Sequence, residues 1–282
     1  MAQATIPFCK VCSGTGVLIE PRNNQAEARI CDCSEKCLVC RGSRFVMGKD
    51  AQGRDSARMC QCEVRRIRVR MFNEARLPGK YYEARLEERF KDAQNENVFN
   101  SLRLMASDFQ PGQKGLLLMG PSGVGKTFLV AAFVHEVIFR RGIQAHFRDF
   151  FHLLADLRSG YSQDKPESDL LGPLMDVEVL VIDELGKGRN SPWEQNILDV
   201  IISQRYNNQK TTIFTSNYTD SRKTTLVERV RGKDGMEGDG ETRDTLLDRV
   251  GPRIYSRLKE MCDFLMLSGK DRRDVDGELR IG

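Results

Sequence analysis

Gly115-Leu-Leu-Leu-Met119 runs without a break into Gly120-Pro-Ser-Gly-Val-Gly-Lys-Thr127, and a helix-periodic apolar stretch continues to Arg141. A short apolar run that reads as a buried strand, a G-x-x-x-x-G-K-T turn and a helix in direct succession define a phosphate-binding loop in its confirming context. The predicted fold class is α/β, a P-loop core with a parallel sheet between helices. The expected nucleotide-binding residues are Gly120, Pro121, Ser122, Gly123, Val124, Gly125, Lys126 and Thr127. Glycines let backbone N–H groups face phosphates at a helix N-terminus, Lys126 neutralises β and γ oxygens, and the Thr127 hydroxyl ligates Mg²⁺. ATP and Mg²⁺ are the cofactors this implies.

A second apolar run over 177–182 ends in Asp183-Glu184. Carboxylates at a strand end beside a P-loop suit two tasks: Asp183 holds the Mg²⁺ water shell, and Glu184 orients and deprotonates the attacking water. Ser191-Pro-Trp-Glu194 forms a capping box with proline at the first helical position, and Ile197, Leu198, Ile201 and Ile202 share one face of the helix it opens. Trp193 reads as packing. Thr211-Thr-Ile-Phe-Thr-Ser-Asn217 reads as another strand with a polar end, and Asn217 is the candidate γ-phosphate sensor.

Eight of the nine cysteines lie in the first 62 residues, in pairs: Cys9 and Cys12 with Cys31 and Cys33, then Cys37 and Cys40 with Cys60 and Cys62. The second set is the first displaced by 28 or 29 residues. Four thiolates per repeat match the tetrahedral preference of Zn²⁺, so the expectation is two zinc ions, one per repeat, with Gly14, Gly16 and Gly42 turning the backbone so that N–H groups reach thiolate sulfur. The first half of each repeat resembles the C-x-x-C-x-G-x-G pattern of DnaJ-type zinc modules. So small a segment has little apolar core, and metal is expected to hold it folded.

Residues 1–80 carry 15 Lys/Arg against 8 Asp/Glu, or +7, within a chain of net charge +4. Two four-thiolate zinc sites, at −2 each, offset most of that surplus. Between the cysteines and Pro78-Gly79, the stretch from Glu63 to Leu77 places Val64, Ile67, Met71 and Ala75 on a narrow apolar stripe and Arg65, Arg66, Arg68 and Arg70 around the other faces. A nucleic-acid contact and a solvated linker helix are both open to it. The expected division is a zinc module over 1–62, a basic linker helix over 63–80 and the ATPase domain over 81–282. The most apolar stretch, 128–139, is far shorter than the roughly 20 residues a bilayer span needs, and the N-terminus has no basic and apolar leader pattern. The expectation is a cytoplasmic protein without a membrane contact.

The residues carry a resemblance to the AAA+ class, and within it to the DnaC/DnaI helicase loaders and the IstB transposition helpers. It runs from a lead-in over 76–90 through both Walker motifs and Thr215-Ser-Asn217 to Arg253-Ile-Tyr-Ser-Arg-Leu258 and Gly269-Lys-Asp-Arg-Arg273. The resemblance implies an arginine supplied by a neighbouring subunit. The family's R-x-x-x-R pattern falls on Arg253 and Arg257, with Arg253 at the finger position. Only 15 residues follow the strand expected over 263–267, too few for a full C-terminal helical lid with its sensor arginine. The glycine- and charge-rich segment 231–244 reads as a surface loop. The implied function is an ATP-dependent loader or remodeller of a replicative DNA helicase that binds single-stranded DNA, self-associates through a shared ATP site, and grips the helicase with the zinc module. The alternative is an IstB-like DNA-binding ATPase assisting a transposase. A third reading, an adaptor that binds ATP without hydrolysing it, sits poorly with Glu184.

Overall fold

The computed structural model describes residues 9–88, 91–220 and 244–272. Five strands, β5 (Gly115–Met119), β6 (Ala145–Asp149), β7 (Val179–Asp183), β8 (Thr211–Ser216) and β9 (Cys262–Met266), form one parallel sheet in the order β6-β7-β8-β5-β9. The P-loop strand therefore lies between β8 and β9, and the carboxylate-bearing strand lies one further along. Side chains alternate across the sheet with the period of two expected of strands. Leu116, Leu118, Val179, Val181 and Ile213 enter one core, while Leu117, Met119, Leu180, Ile182 and Phe214 enter the other.

The first core is closed by α1 (Gln61–Ala75), α2 (Glu96–Ser107) and α3 (Lys126–Glu136), the second by α4 (Phe150–Ser162), α5 (Glu167–Asp176), α6 (Pro192–Asn207) and α7 (Leu246–Met261). Helices on both faces explain why the strands read as continuous apolar runs. The helix expected to reach Arg141 ends at Glu136 and finishes in one π-helical turn, Val137–Arg141. The strand expected from residue 177 begins at Val179. The Val177 carbonyl is taken by the Arg205 guanidinium at 2.8 Å and so does not join the ladder.

Two antiparallel hairpins precede the sheet: β1 (Val17–Arg22) with β2 (Gln25–Ile30), and β3 (Phe45–Lys49) with β4 (Asp55–Met59). The first hairpin is part of the core, since Ala26 and Ala28 are buried with Phe72, Ala75 and Leu77. Asn73 of α1 clasps the β2 edge, receiving the Ala28 N–H at 2.7 Å and donating to the Ala28 carbonyl at 3.0 Å. The chain then turns at Arg76 (φ 59), and Leu77 and Gly79 hydrogen-bond to Ala26 and Asn24. Helix α1 thus does not stand clear in solvent. Its Arg68 donates to the Phe139 carbonyl at 2.6 Å, and Arg66 to the Glu35 carbonyl at 3.3 Å, so two of the four arginines close backbone groups. Among the described residues no helix is long and apolar enough to cross a membrane. Segment 221–243, most of the glycine- and charge-rich stretch noted above, lies outside the described residues, as does Arg273.

Candidate nucleotide site and cysteine centres

The P-loop connects β5 to α3, and its conformation depends on glycine at two points in particular. Gly120 has φ 145, and a Cβ there would stand 2.2 Å from the Leu267 carbonyl. Gly125 caps α3 with φ 99, a left-handed position that favours glycine. Lys126 opens the helix, is buried, and donates from Nζ to the carbonyls of Gly120 at 2.7 Å and Pro121 at 2.6 Å. The ammonium is thereby held over the loop.

Thr127 follows, and its hydroxyl donates to Asp183 Oδ1 at 3.0 Å across 56 residues of chain. Asp183 ends β7 and is buried; burial pushes its carboxyl up to about 6, against the pull of hydrogen bonds from Thr215 and Thr127. A buried carboxylate beside a hydroxyl is a hard-oxygen pair whose chemistry fits Mg²⁺, which would neutralise phosphate charge there. Glu184 turns out of the strand with φ 58, a left-handed conformation uncommon for glutamate, and pairs with Lys187. It is the first residue past the end of β7, and its side chain is 28% exposed.

Thr215, which the sequence offers only as the first residue of Thr215-Ser-Asn217, has a part in this site. Its hydroxyl donates to Asp183 Oδ1 at 2.5 Å and accepts the Glu184 N–H at 2.9 Å. The expected sensor Asn217 sits one residue past β8 and is exposed. A period-2 reading would have put Thr215 on the same face of β8 as Asn217, which was the available signal. A cleft lined by Asp92, Gln94, Gly269, Lys270 and Arg272 opens beside the loop, where the Arg272 backbone N–H donates to the Gly123 carbonyl at 3.0 Å.

Arg253 and Arg257 share one carboxylate. Asp199 of α6 receives Arg257 at 2.7 Å and Arg253 at 3.4 Å, but the Arg257 side chain is 21% exposed and that of Arg253 72%. Helix α7 breaks at Gly251 (φ 78, ψ 161) and restarts with Pro252, so Arg253 lies at the start of the second segment.

The cysteines assemble as paired in the sequence. Cys9, Cys12, Cys31 and Cys33 form one group and Cys37, Cys40, Cys60 and Cys62 the other, with the sulfurs of each within 4.8 Å of one another. The sulfur separations of 3.9, 3.5, 3.7 and 3.4 Å exclude disulfides. They surround the about 3.8 Å edge of a tetrahedron with bonds of about 2.3 Å, the Zn–thiolate length. Burial pushes the Cys12 thiol up, yet the Gly16 N–H, 3.3 Å from its sulfur, and the neighbouring thiols bring it down to about 6. Cys40 is likewise held at about 6 against burial, by the Gly42 N–H and Cys62. Cys33, despite the Ser34 hydroxyl, is pushed up to about 12 by burial and the neighbouring thiols, and Cys62 likewise by burial and Cys40. It is thus the four sulfurs at tetrahedral separations that fit each group to a soft divalent metal, which binds the thiolate form.

A parallel sheet in this order, with a P-loop between β5 and α3 and paired carboxylates at the end of β7, one strand beyond β8, defines an ATP-binding protein of the AAA+ ATPase class. Within that class the chain belongs to the IstB-like ATP binding protein family, which matches residues 58–249. It is similar to the replicative helicase loader DnaC of Escherichia coli K12, 28% identical over 144 residues, or 48% of this chain and 55% of that one. The ATP-binding protein of insertion sequence IS5376 from Geobacillus stearothermophilus is 32% identical over 114 residues, 40% of this chain and 44% of that one. The chain spans about half the length of these curated relatives. A crystal structure of the DnaC helicase loader superposes with a TM-score of 0.56 at 29% identity, covering 67% of this chain and 99% of that one.

Proposed function

We propose that this protein hydrolyses ATP to load or remodel a replicative DNA helicase on single-stranded DNA, acting in the cytosol. The observation that carries the reading is the likeness to the DnaC helicase loader along nearly the whole of that solved chain. In this reading the P-loop from Gly120 to Thr127 holds the phosphates, Thr127 and Asp183 hold Mg²⁺, and Glu184 activates water. Asn217 senses the γ-phosphate, and Arg253 is lent to a neighbouring copy, so that assembly and turnover are coupled. The two cysteine groups bind zinc and the module they stabilise contacts the helicase.

The IstB-like family match and the IS5376 relative favour a second reading, a DNA-binding ATPase that assists a transposase. One experiment separates them. The purified full chain is mixed with the hexameric replicative helicase of the same organism and a forked DNA with a single-stranded-binding-protein-coated arm. ATP-dependent appearance of unwinding supports loading. If unwinding does not respond to the protein and a transposase co-purifies with it from cells, the second reading replaces the first.

A further inference from the structure

The two cysteine hairpins are copies whose apolar faces meet different surroundings. A displacement of 28 residues lays Val17 on Phe45 and Ile19 on Met47, and one of 29 lays Ala28 on Ala57 and Ile30 on Met59. Within each hairpin these four positions share a face, because Val17 pairs with Ile30 and Ile19 with Ala28, just as Phe45 pairs with Met59 and Met47 with Ala57. In the first copy the face is closed: Ala28 is buried, and Val17 and Ile19 pack against a core that includes Phe72 and Ala75 of α1. In the second copy the same face is open. Phe45 is 51% exposed, Met47 71% and Met59 44%, and Leu38 at the neighbouring turn is 85% exposed.

A two-stranded hairpin with an uncovered apolar face is marginal, and such a patch marks an interaction site. The first copy shows which element covers this face, namely an amphipathic helix. Charge narrows the occupant. Residues 36–59 carry six Lys/Arg against two carboxylates, Asp50 and Asp55. Arg54 pairs with Asp50 and Arg44 with Glu63, whereas Lys36, Arg41, Lys49 and Arg58 are exposed and have no carboxylate at ion-pair distance among the described residues. A helix with an acidic flank complements that rim. Nucleic acid would use stacking platforms, and this face offers one aromatic ring and two flexible thioethers, the composition of a helix-binding surface.

We propose that the second cysteine hairpin docks an acidic-flanked amphipathic helix of the helicase, seated on Phe45, Met47 and Met59, in the way the first hairpin seats α1. The proposal rests on the helicase-loader reading and assigns the grip to one hairpin of the module. Its test uses the full chain carrying Phe45→Ser and Met47→Ser together, with affinity measured for the replicative helicase hexamer and for a fluorescent oligodeoxynucleotide. A parallel chain carries the photocrosslinker p-benzoylphenylalanine at Met47. The double variant should lose roughly tenfold or more in helicase affinity while its zinc content, ATP turnover and oligonucleotide affinity stay at the parental level. The crosslink should map to a helical segment of the helicase. Full helicase affinity in the double variant and no crosslink from Met47 would overturn the docking site and leave the loader reading standing. Absence of helicase binding by the parent chain would overturn both. A loss confined to the oligonucleotide would reassign the face to nucleic acid and overturn the proposal.

Discussion

The Thr215 hydroxyl donates to Asp183 Oδ1 at 2.5 Å and accepts the Glu184 N–H at 2.9 Å, so one side chain ties the Asp183 carboxylate and the Glu184 backbone to the adjacent strand. Its bond to Asp183 opposes the burial that pushes that carboxyl up to about 6. Thr215→Val preserves shape and removes the bond. The carboxyl then rises further and competes less well for Mg²⁺, and loss of such a supporting partner weakens metal sites by about 10- to 100-fold. The Mg²⁺ concentration for half-maximal ATP turnover should increase and the acidic limb of the pH profile should move up. A variant with the parental Mg²⁺ requirement and pH limb would reduce Thr215 to packing.

Lys126 and Glu184 should separate binding from turnover. Lys126 is buried over the loop carbonyls where phosphate charge would be met, whereas Glu184 follows the end of β7 and pairs with Lys187 rather than with the loop. Lys126→Ala is expected to weaken nucleotide binding, and Glu184→Gln to preserve it while abolishing hydrolysis. Fluorescent-nucleotide titration beside a phosphate-release assay reads both. Equal losses of affinity would contradict this division.

Periodicity and motif spacing made the sheet, the P-loop, the Walker B strand and the cysteine groups legible, because the first three are contiguous runs and the fourth repeats its own spacing. What stayed hidden depends on contacts distant in sequence. Arg205 continues the apolar stripe of Ile201 and Ile202 one turn on, yet it is fully buried and donates to the carbonyls of Leu174, Val177 and Thr211 at 2.6 to 2.8 Å. A charged residue on an apolar face was the available sign, but its partners lie on two separate segments, the end of α5 and the start of β8. The unequal fate of the two hairpins was equally unreadable. Their sequences are nearly parallel, and only the placement of α1 decides which is covered.

Metal removal should affect the two repeats differently. The first hairpin shares its core with Phe72 and Ala75, while every residue of β3 and β4 except Val46 and Ser56 is exposed. The wild-type chain should carry two zinc ions. Cys12→Ser is expected to lower the thermal midpoint of the ATP-binding core, and Cys40→Ser to release one zinc with little change in that midpoint. Metal analysis with nucleotide-detected melting checks both. Identical melting losses in the two variants would contradict the asymmetry.

Acid should destabilise the fold through two buried histidines. Burial holds His146 down at about 4, and burial holds His135, stacked on Phe139 at 4.8 Å, well below the usual imidazole range. In the unfolded chain both rings take protons below about 6.5, so the unfolded state binds more protons in that window and stability falls as pH drops from 6.5 toward 4. His146 alone contributes up to about 3 kcal/mol of that loss. Urea unfolding at pH 7 and pH 5 measures it. His146→Gln, neutral throughout, should flatten the dependence, and an unchanged slope would point to other groups.

Arg253 and Arg257 are held by the same Asp199 carboxylate, but only one is free to leave it. Arg257 lies at 2.7 Å with its side chain 21% exposed; Arg253 lies at 3.4 Å with 72% exposed, just past the break at Gly251 where the second segment of α7 begins. An exposed guanidinium at the start of a helical segment is the one expected to serve a γ-phosphate on a neighbouring copy, whereas Arg257 is held more closely within its own chain. An arginine finger contributes roughly 10³ to 10⁵ in rate in GTPases, so Arg253→Ala should nearly eliminate hydrolysis while sparing nucleotide binding by the isolated chain. Mixing provides the discriminating test. Glu184→Gln is inactive in its own site but keeps Arg253, and it can complete the site of a neighbour that carries Arg253→Ala with Glu184 intact. Activity should therefore return when the two variants are combined. If the mixture stays inactive although the two proteins co-assemble, Arg253 is not the shared group, and Arg257, freed from Asp199 in the assembly, takes its place as the candidate.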